Sequence, residues 1–214
     1  MPKVAVILAG CGRMDGSEVH ESTLALLYLA KGGATYQCFA PDESQTRVVD
    51  HVTNQPTSET RNQMAEAARI ARGNVKPISG ARAEDFDALV IPGGGGAFAN
   101  LSQGPGGVHP DVKRLLVAMA DAGKPIAAIC IAPILAARVL GKRGVRLTIG
   151  NSREDAAAIE ETGAHHVTCA VDQCVVDKDH KIVSTPAYML GPGIADVAAG
   201  IESCIGALLD MCRM

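Results

Sequence analysis

Pro125-Ile126-Ala127-Ala128-Ile129-Cys130-Ile131-Ala132-Pro133 is the stretch that decides the fold. Ile126 to Ile129 form a short, continuous apolar run, which reads as a strand buried on both faces. Ala132 to Leu140 reads as the helix that follows, with Pro133 presetting its first turn. Cys130 sits at the join. A nucleophile elbow is a tight, strained strand-to-helix turn, so the residues two before and two after the nucleophile must be small. Here they are Ala128 and Ala132. This placement puts Sγ above the positive end of a helix, where a thiolate is favoured. The competing reading is that Cys130 is only a small buried hydrophobe.

Working outward, strands and helices alternate. Residues 3–9 read as a buried first strand ending at Gly10, and Val19 to Lys31 as a helix stopped by Gly32-Gly33. Thr35 to Ala40 is a second strand, 58–72 a helix with a charged face, and Asp87 to Ile91 a third strand. That strand runs into Pro92-Gly93-Gly94-Gly95-Gly96, whose unobstructed amides suit an oxyanion hole on the edge where Cys130 would sit. No Lys-Ser/Thr pair follows, so this is not a P-loop. Asp111 to Ala122 is a helix, Arg146 to Ile149 a strand, and about 153–162 an acidic helix. A hairpin is expected from Gln173–Val176 and Lys181–Val183, then a final helix over about 193–212. This alternation predicts one α/β domain over 1–214, a flavodoxin-like three-layer sandwich. Its mostly parallel sheet carries helices on both faces and a small β-hairpin. Sites in such sheets lie at the carboxyl ends of strands.

Composition narrows the function. The 214 residues carry a net charge of −3 and no basic stripe, which excludes nucleic acid as an expected partner. Aromatic residues make up only 3%, so the core is built from aliphatic side chains. No stretch approaches the ~18 apolar residues of a membrane span. The seven cysteines are odd in number and form no disulfide framework, which points to a reducing, cytoplasmic setting. Cys169 and Cys174 lack the second pair a zinc site usually needs, so no metal is expected. Gly10-Cys11-Gly12 with Gly16 and Asp42 loosely imitates a dinucleotide fingerprint, but the spacing is off by one.

The chain resembles the ThiJ/PfpI superfamily of class I glutamine amidotransferase-like proteins, and more closely the ElbB group, across essentially its whole length. The resemblance rests on ILAGCG at 7–12, DGSEVHES at 15–22, QCFAPD at 37–42, RNQMAEAARIARGNVKP at 61–77 and DFDALVIPGG at 85–94. It continues through GKPIAAICIAP at 123–133, LTIGN at 147–151 and VSTPAYML at 183–190. It implies a nucleophilic Cys130 and a first-helix glutamate in contact with the thiol. Glu21 suits that role, with Glu18 one turn earlier as its rival. Gly94 and Ile131 would supply the oxyanion N–H groups. It further implies a cofactor-independent glyoxalase that converts glyoxal to glycolate, a small dicarbonyl substrate, a homodimer or larger assembly, and a family link to isoprenoid biosynthesis. Related amidotransferases and proteases place a histidine directly after the cysteine or near the following strand, a region that Gly150-Asn151 occupies here. Position 131 is Ile here, so the resemblance does not extend to a Cys-His-Glu triad. His20, Cys11, Gly93, Thr185, Pro186 and Tyr188 are further candidates to line or shape the pocket. A second function class is open on the same residues: an accessible cysteine beside a carboxylate is also the design of a redox sensor.

Overall fold

Val4, Val6 and Leu8 pack into one hydrophobic core while Ala5, Ile7 and Ala9 pack into another, and all six are buried. Successive side chains of a strand face opposite ways, so this segment is covered on both sides. In the computed structural model, which describes residues 1–191 and 193–213, it forms strand β1 (Lys3–Ile7) near the centre of the sheet. The other strands are β2 (Thr35–Ala40), β3 (Val75–Pro77), β4 (Ala88–Ile91), β5 (Ile126–Ile129), β6 (Val175–Asp177) and β7 (Ile182–Thr185). Their order is β6-β7-β5-β4-β1-β2-β3, parallel throughout except for β6 against β7. The helices are α1 (Val19–Lys31), α2 (Gln63–Ile70), α3 (Gly95–Leu101), α4 (Pro110–Asp121), α5 (Ala132–Leu140), α6 (Arg153–Glu160) and α7 (Ile194–Met211).

One core joins Leu26 and Leu29 of α1, Ala67 of α2, and Ile201, Ile205 and Leu208 of α7 to one face of the sheet. The other joins Leu101 of α3, Leu115, Leu116 and Met119 of α4, Leu135 of α5 and Ile159 of α6 to the opposite face. The result is the expected three-layer α/β sandwich of the flavodoxin-like kind. The chain order reverses around β1, which is followed in sequence by β2 on one side and later by β4 on the other. The crevice outside the carboxyl ends of the strands at such a reversal is where open α/β sheets place their sites.

Three local features depart from what the sequence alone suggests. The glycine run after β4 passes straight into a helix, since Gly95 and Gly96 open α3. Gly is a poor helix former, so propensity misses this helix. Its cause is tertiary: a side chain on Gly96 would collide with the backbone of Asp15 and Gly16. Second, Arg146–Leu147 does not join the main sheet; it pairs in parallel with His165–His166 in a separate ribbon. Side chains of the edge strands satisfy this segment instead. Asp177 Oδ2 accepts from the Arg146 N–H at 2.7 Å, and Ser184 Oγ from the Thr148 N–H at 2.9 Å. Third, the edge strand β3 escapes a sequence reading because it has three residues and ends in Pro77, a residue suited to edges.

Candidate functional site

The elbow is present. Cys130 has φ +63°, in the left-handed region where a side chain costs about 1–3 kcal/mol. Neighbours hold it there. Its N–H donates to Thr185 O at 2.9 Å, which ties the turn to the end of β7. Ala128 and Ala132 are buried, and Pro133 lies in the first turn of α5. The small residues are thus required by packing on both sides of the turn.

The carboxylate comes from α1. Ser17 Oγ accepts from the Ala9 N–H at 2.9 Å, and the Glu18 N–H donates to Gly93 O at 2.9 Å. These bonds fix the start of α1 against the end of β1 and the glycine loop. Glu18 is the N-cap, its Oε2 accepting from the Glu21 N–H at 2.7 Å. Glu21 lies one turn on, fully buried, and its carboxyl sits beside the Cys130 thiol, both against Gly93. Oε2 of Glu21 also accepts from the Gly93 N–H at 3.0 Å, and Oε1 from the Tyr188 N–H at 3.4 Å. Of the two glutamates, Glu21 therefore reaches the sulfur, while Glu18 caps the helix and rims the cleft.

Glycine is needed where the loops meet. A Cβ on Gly93 would lie 2.5 Å from Cys130 Cβ and 2.7 Å from Glu21 Oε2. Gly94 has φ +111°, and a Cβ there would lie 2.6 Å from both Glu18 N and Gly16 O. The main-chain N–H groups of Gly94 and Ile131 lie near enough to the Cys130 thiol to favour its ionised form, so the amides expected at an oxyanion hole converge on the reactive residue. A developing oxyanion on a carbon bonded to that sulfur would lie within their reach.

The electrostatics correct one expectation. The helix end was expected to favour the thiolate. Instead burial, then the charge and hydrogen bond of Glu21, push the Cys130 thiol well above its ordinary value, and the two amides offset this only in part. Burial likewise raises Glu21 from 4.5 to about 7, with the Glu18 charge adding to the rise. Both groups resist ionising because few waters reach them. At neutral pH the pair therefore keeps at least one proton.

Cys130 is 6% exposed, and that exposure opens into a cleft of about 750 Å³. Arg13, Met14, Glu18, His20, Arg47, Gly94, Gly95, Ile131, Tyr188 and Met189 complete its lining. His20 does not replace a triad histidine: its Nδ1 lies 2.7 Å from the Tyr188 hydroxyl, with which it shares a hydrogen bond. The remaining pocket candidates sit behind the lining. Gly93 packs beneath the thiol, and Thr185 is buried with Oγ1 donating to Gln173 O at 2.8 Å. Pro186 is buried and precedes the short 3-10 turn that carries Tyr188. Cys11 is half-buried, and burial raises its thiol, followed by the charge of Glu66 on α2. Arg13, Met14 and Arg47 were missed, because they lie on irregular loops with no motif of their own. The glycines at 10–16 close a loop upon itself, with the Gly12 N–H donating to Ser17 O and the Gly16 N–H to Gly12 O. Asp42 accepts from Asn62 Nδ2 at 2.8 Å, so the residues that imitate a dinucleotide fingerprint serve the fold.

A doubly covered parallel sheet with a cysteine elbow, an opposing first-helix carboxyl and converging loop amides defines an amidotransferase-like α/β protein. The comparisons agree, and more narrowly: the chain belongs to the DJ-1/PfpI family, whose model matches residues 12–189. It is 41% identical over 224 aligned positions to the human glutamine amidotransferase-like class 1 domain-containing protein 3, mitochondrial, covering 98% of this chain and 83% of that one. It is 38% identical to the rat ES1 protein homolog, mitochondrial, covering 98% and 84%. An isoprenoid biosynthesis protein with an amidotransferase-like domain from Ehrlichia chaffeensis superposes with a TM-score of 0.94 at 38% identity, over 99% of both chains. Among the described residues no helix is long and apolar enough to cross a membrane.

Proposed function

We propose that this protein is a cofactor-independent glyoxalase that converts small 2-oxoaldehydes, glyoxal among them, to 2-hydroxy acids. The observation that carries this reading is the buried contact between the Glu21 carboxyl and the Cys130 thiol, with the Gly94 and Ile131 amides near the same thiol. The sulfur adds to the aldehyde carbon, forming an S–C bond while the thiol proton passes to Glu21. The resulting hemithioacetal oxygen is held by the two amides. Glu21 returns that proton to the hemithioacetal oxygen, then carries the proton of the former aldehyde carbon to its neighbour while the hydroxyl proton passes to the neighbouring oxygen, giving the thioester of a 2-hydroxy acid. Water cleaves the C–S bond and restores the thiol. One carbon is oxidised by two electrons and its neighbour reduced by two, so R–CO–CHO and water balance R–CHOH–COOH with no external oxidant. A carboxyl near 7 suits both halves of the proton shuttle.

The pair also disfavours the redox-sensing alternative. Peroxide consumes thiolate, and burial holds this thiol protonated. The test is turnover of glyoxal, methylglyoxal and glutamine by the wild type and by Cys130→Ser. Dicarbonyl turnover abolished by the substitution, with glutamine untouched throughout, is the expected result. Retained glyoxal turnover in Cys130→Ser overturns the scheme. Selective oxidation of Cys130 by low peroxide in a protein without turnover favours the sensor. Seven free thiols, Cys130 among them, agree with work in a reducing compartment such as the cytoplasm.

A further inference from the structure

Glyoxal has four heavy atoms, and the cleft above Cys130 encloses about 750 Å³, a size that takes far larger ligands. Most of that space is unused by the proposed chemistry, and its lining has a definite character. Two arginines, Arg13 and Arg47, line it with one carboxylate residue, Glu18. One oxygen of that carboxylate is engaged in capping α1. The imidazole of His20 is engaged by Tyr188. Neither arginine forms an ion pair among the described residues. The side chain of Arg47 and the main chain of Arg13 are nonetheless anchored. Arg47 donates through Nε to Met14 O at 2.9 Å, and the carbonyl of Arg13 accepts from the Gly96 N–H at 3.0 Å, at the start of α3. The loop that carries Arg13 and Met14 is thereby fixed to both the glycine loop and the Arg47 segment. Two arginines without ion-pair partners, one held through its Nε and one on a loop braced by its main chain, share a roomy cleft with the nucleophile and form a receptor for an anion on the substrate.

Resting on the glyoxalase reading, we propose that Arg13 and Arg47 form a second subsite that takes the carboxylate or phosphate of an anionic 2-oxoaldehyde while Cys130 takes its aldehyde carbon. Binding energy from a remote, unreactive group is what positions a small reacting centre. The guanidinium fork matches either oxyanion, so both are named as the class. Each charge-assisted contact is expected to contribute on the order of tenfold in affinity, and the two together about tenfold to hundredfold.

The test compares kcat/KM for three 2-oxoaldehydes: neutral 2-oxopentanal, 4,5-dioxopentanoate with its carboxylate, and hydroxypyruvaldehyde phosphate. The wild type is expected to prefer at least one anionic compound over the neutral one by tenfold or more, and the preferred compound identifies the oxyanion. The preference is expected to fall as salt is raised, a measurement that needs no variant. In R13Q/R47Q the anionic-to-neutral ratio should collapse toward one, through KM more than kcat. A second readout is independent of turnover: the ratio of alkylation rates of Cys130 by iodoacetate and by iodoacetamide. It should drop about tenfold in R13Q/R47Q. A dropped ratio in a protein that turns over none of the three compounds refutes the glyoxalase and leaves the subsite standing. Turnover without anionic preference, or an alkylation ratio the substitutions do not move, overturns the subsite.

Discussion

Glu21→Gln tests the coupled pair through stability as well as rate. Glu21 is fully buried, and its carboxyl is raised from 4.5 to about 7. The native state therefore holds a proton on Glu21 across the window from 4.5 to about 7, where the unfolded chain has released it. With a raised native pKa, this group's contribution is fully present below pH 4.5 and is lost as pH rises through about 7. The interval between 4.5 and about 7 corresponds to about 3 kcal/mol at 1.36 kcal/mol per pH unit. Glutamine keeps the shape, can still accept from the Gly93 N–H and does not titrate. Every other carboxyl is common to both proteins and cancels in the comparison. The Cys130 thiol, raised well above its ordinary value, titrates above this window. Relative to wild type, Glu21→Gln should thus gain about 3 kcal/mol of stability between pH 4 and pH 8.5, while turnover falls about 10²–10⁴-fold. The assay is urea unfolding followed by circular dichroism at intervals of half a pH unit, beside dicarbonyl kinetics. A stability difference that stays flat within about 1 kcal/mol over that range would mean Glu21 titrates as an ordinary carboxyl. The account of a pair that keeps a proton at neutral pH would then be wrong.

In the same variant the pH profile of Cys130 alkylation should move to lower pH, because the Glu21 charge is removed; burial, the larger cause, stays and keeps it above that of a free thiol. Gly93→Ala should lose about 1–3 kcal/mol and most activity, because its methyl meets Cys130 Cβ at 2.5 Å and Glu21 Oε2 at 2.7 Å; thermal melting and kinetics check this. Asn100→Ala should cost about 1–3 kcal/mol in urea unfolding, since Nδ2 donates to Ala9 O and Asp15 O while Oδ1 accepts from the Thr46 N–H and hydroxyl. It should also raise KM, as it frees the loops that carry Arg13 and Arg47.

The elbow was legible in the sequence because its constraints are local. A buried strand, two alanines around a cysteine and a proline one turn on are all read within nine residues. The central strands were legible for the same reason, as uninterrupted apolar runs. The cleft was not, and the cause is physical. Arg13 and Arg47 are separated by 34 positions and meet only because the 10–16 loop folds onto the segment after β2. The α3 helix was hidden because its glycines are dictated by contact with Asp15 and Gly16 rather than by helix propensity. The thiol's elevated pKa was hidden for a related reason. A helix end is visible in sequence, but the extent of burial that outweighs it is a property of the packed core.

The same residues explain why the site must be so tightly braced. A left-handed cysteine and a buried carboxyl each cost free energy in the folded state, about 1–3 kcal/mol for the first and about 3 kcal/mol above neutral pH for the second. Relaxing either would stabilise the chain: Glu21 could swing to water, or the elbow could flatten. Neither route is open. Gly93 packs against both Cys130 Cβ and Glu21 Oε2, the Glu18 N–H is bonded to Gly93 O, and the Cys130 N–H is bonded to Thr185 O. The strand ends, the helix start and the glycine loop each hold one part of the pair in place. The carboxyl–thiol pair is therefore held by the geometry of three separate elements, and a substitution that loosens any one of them should weaken the chemistry.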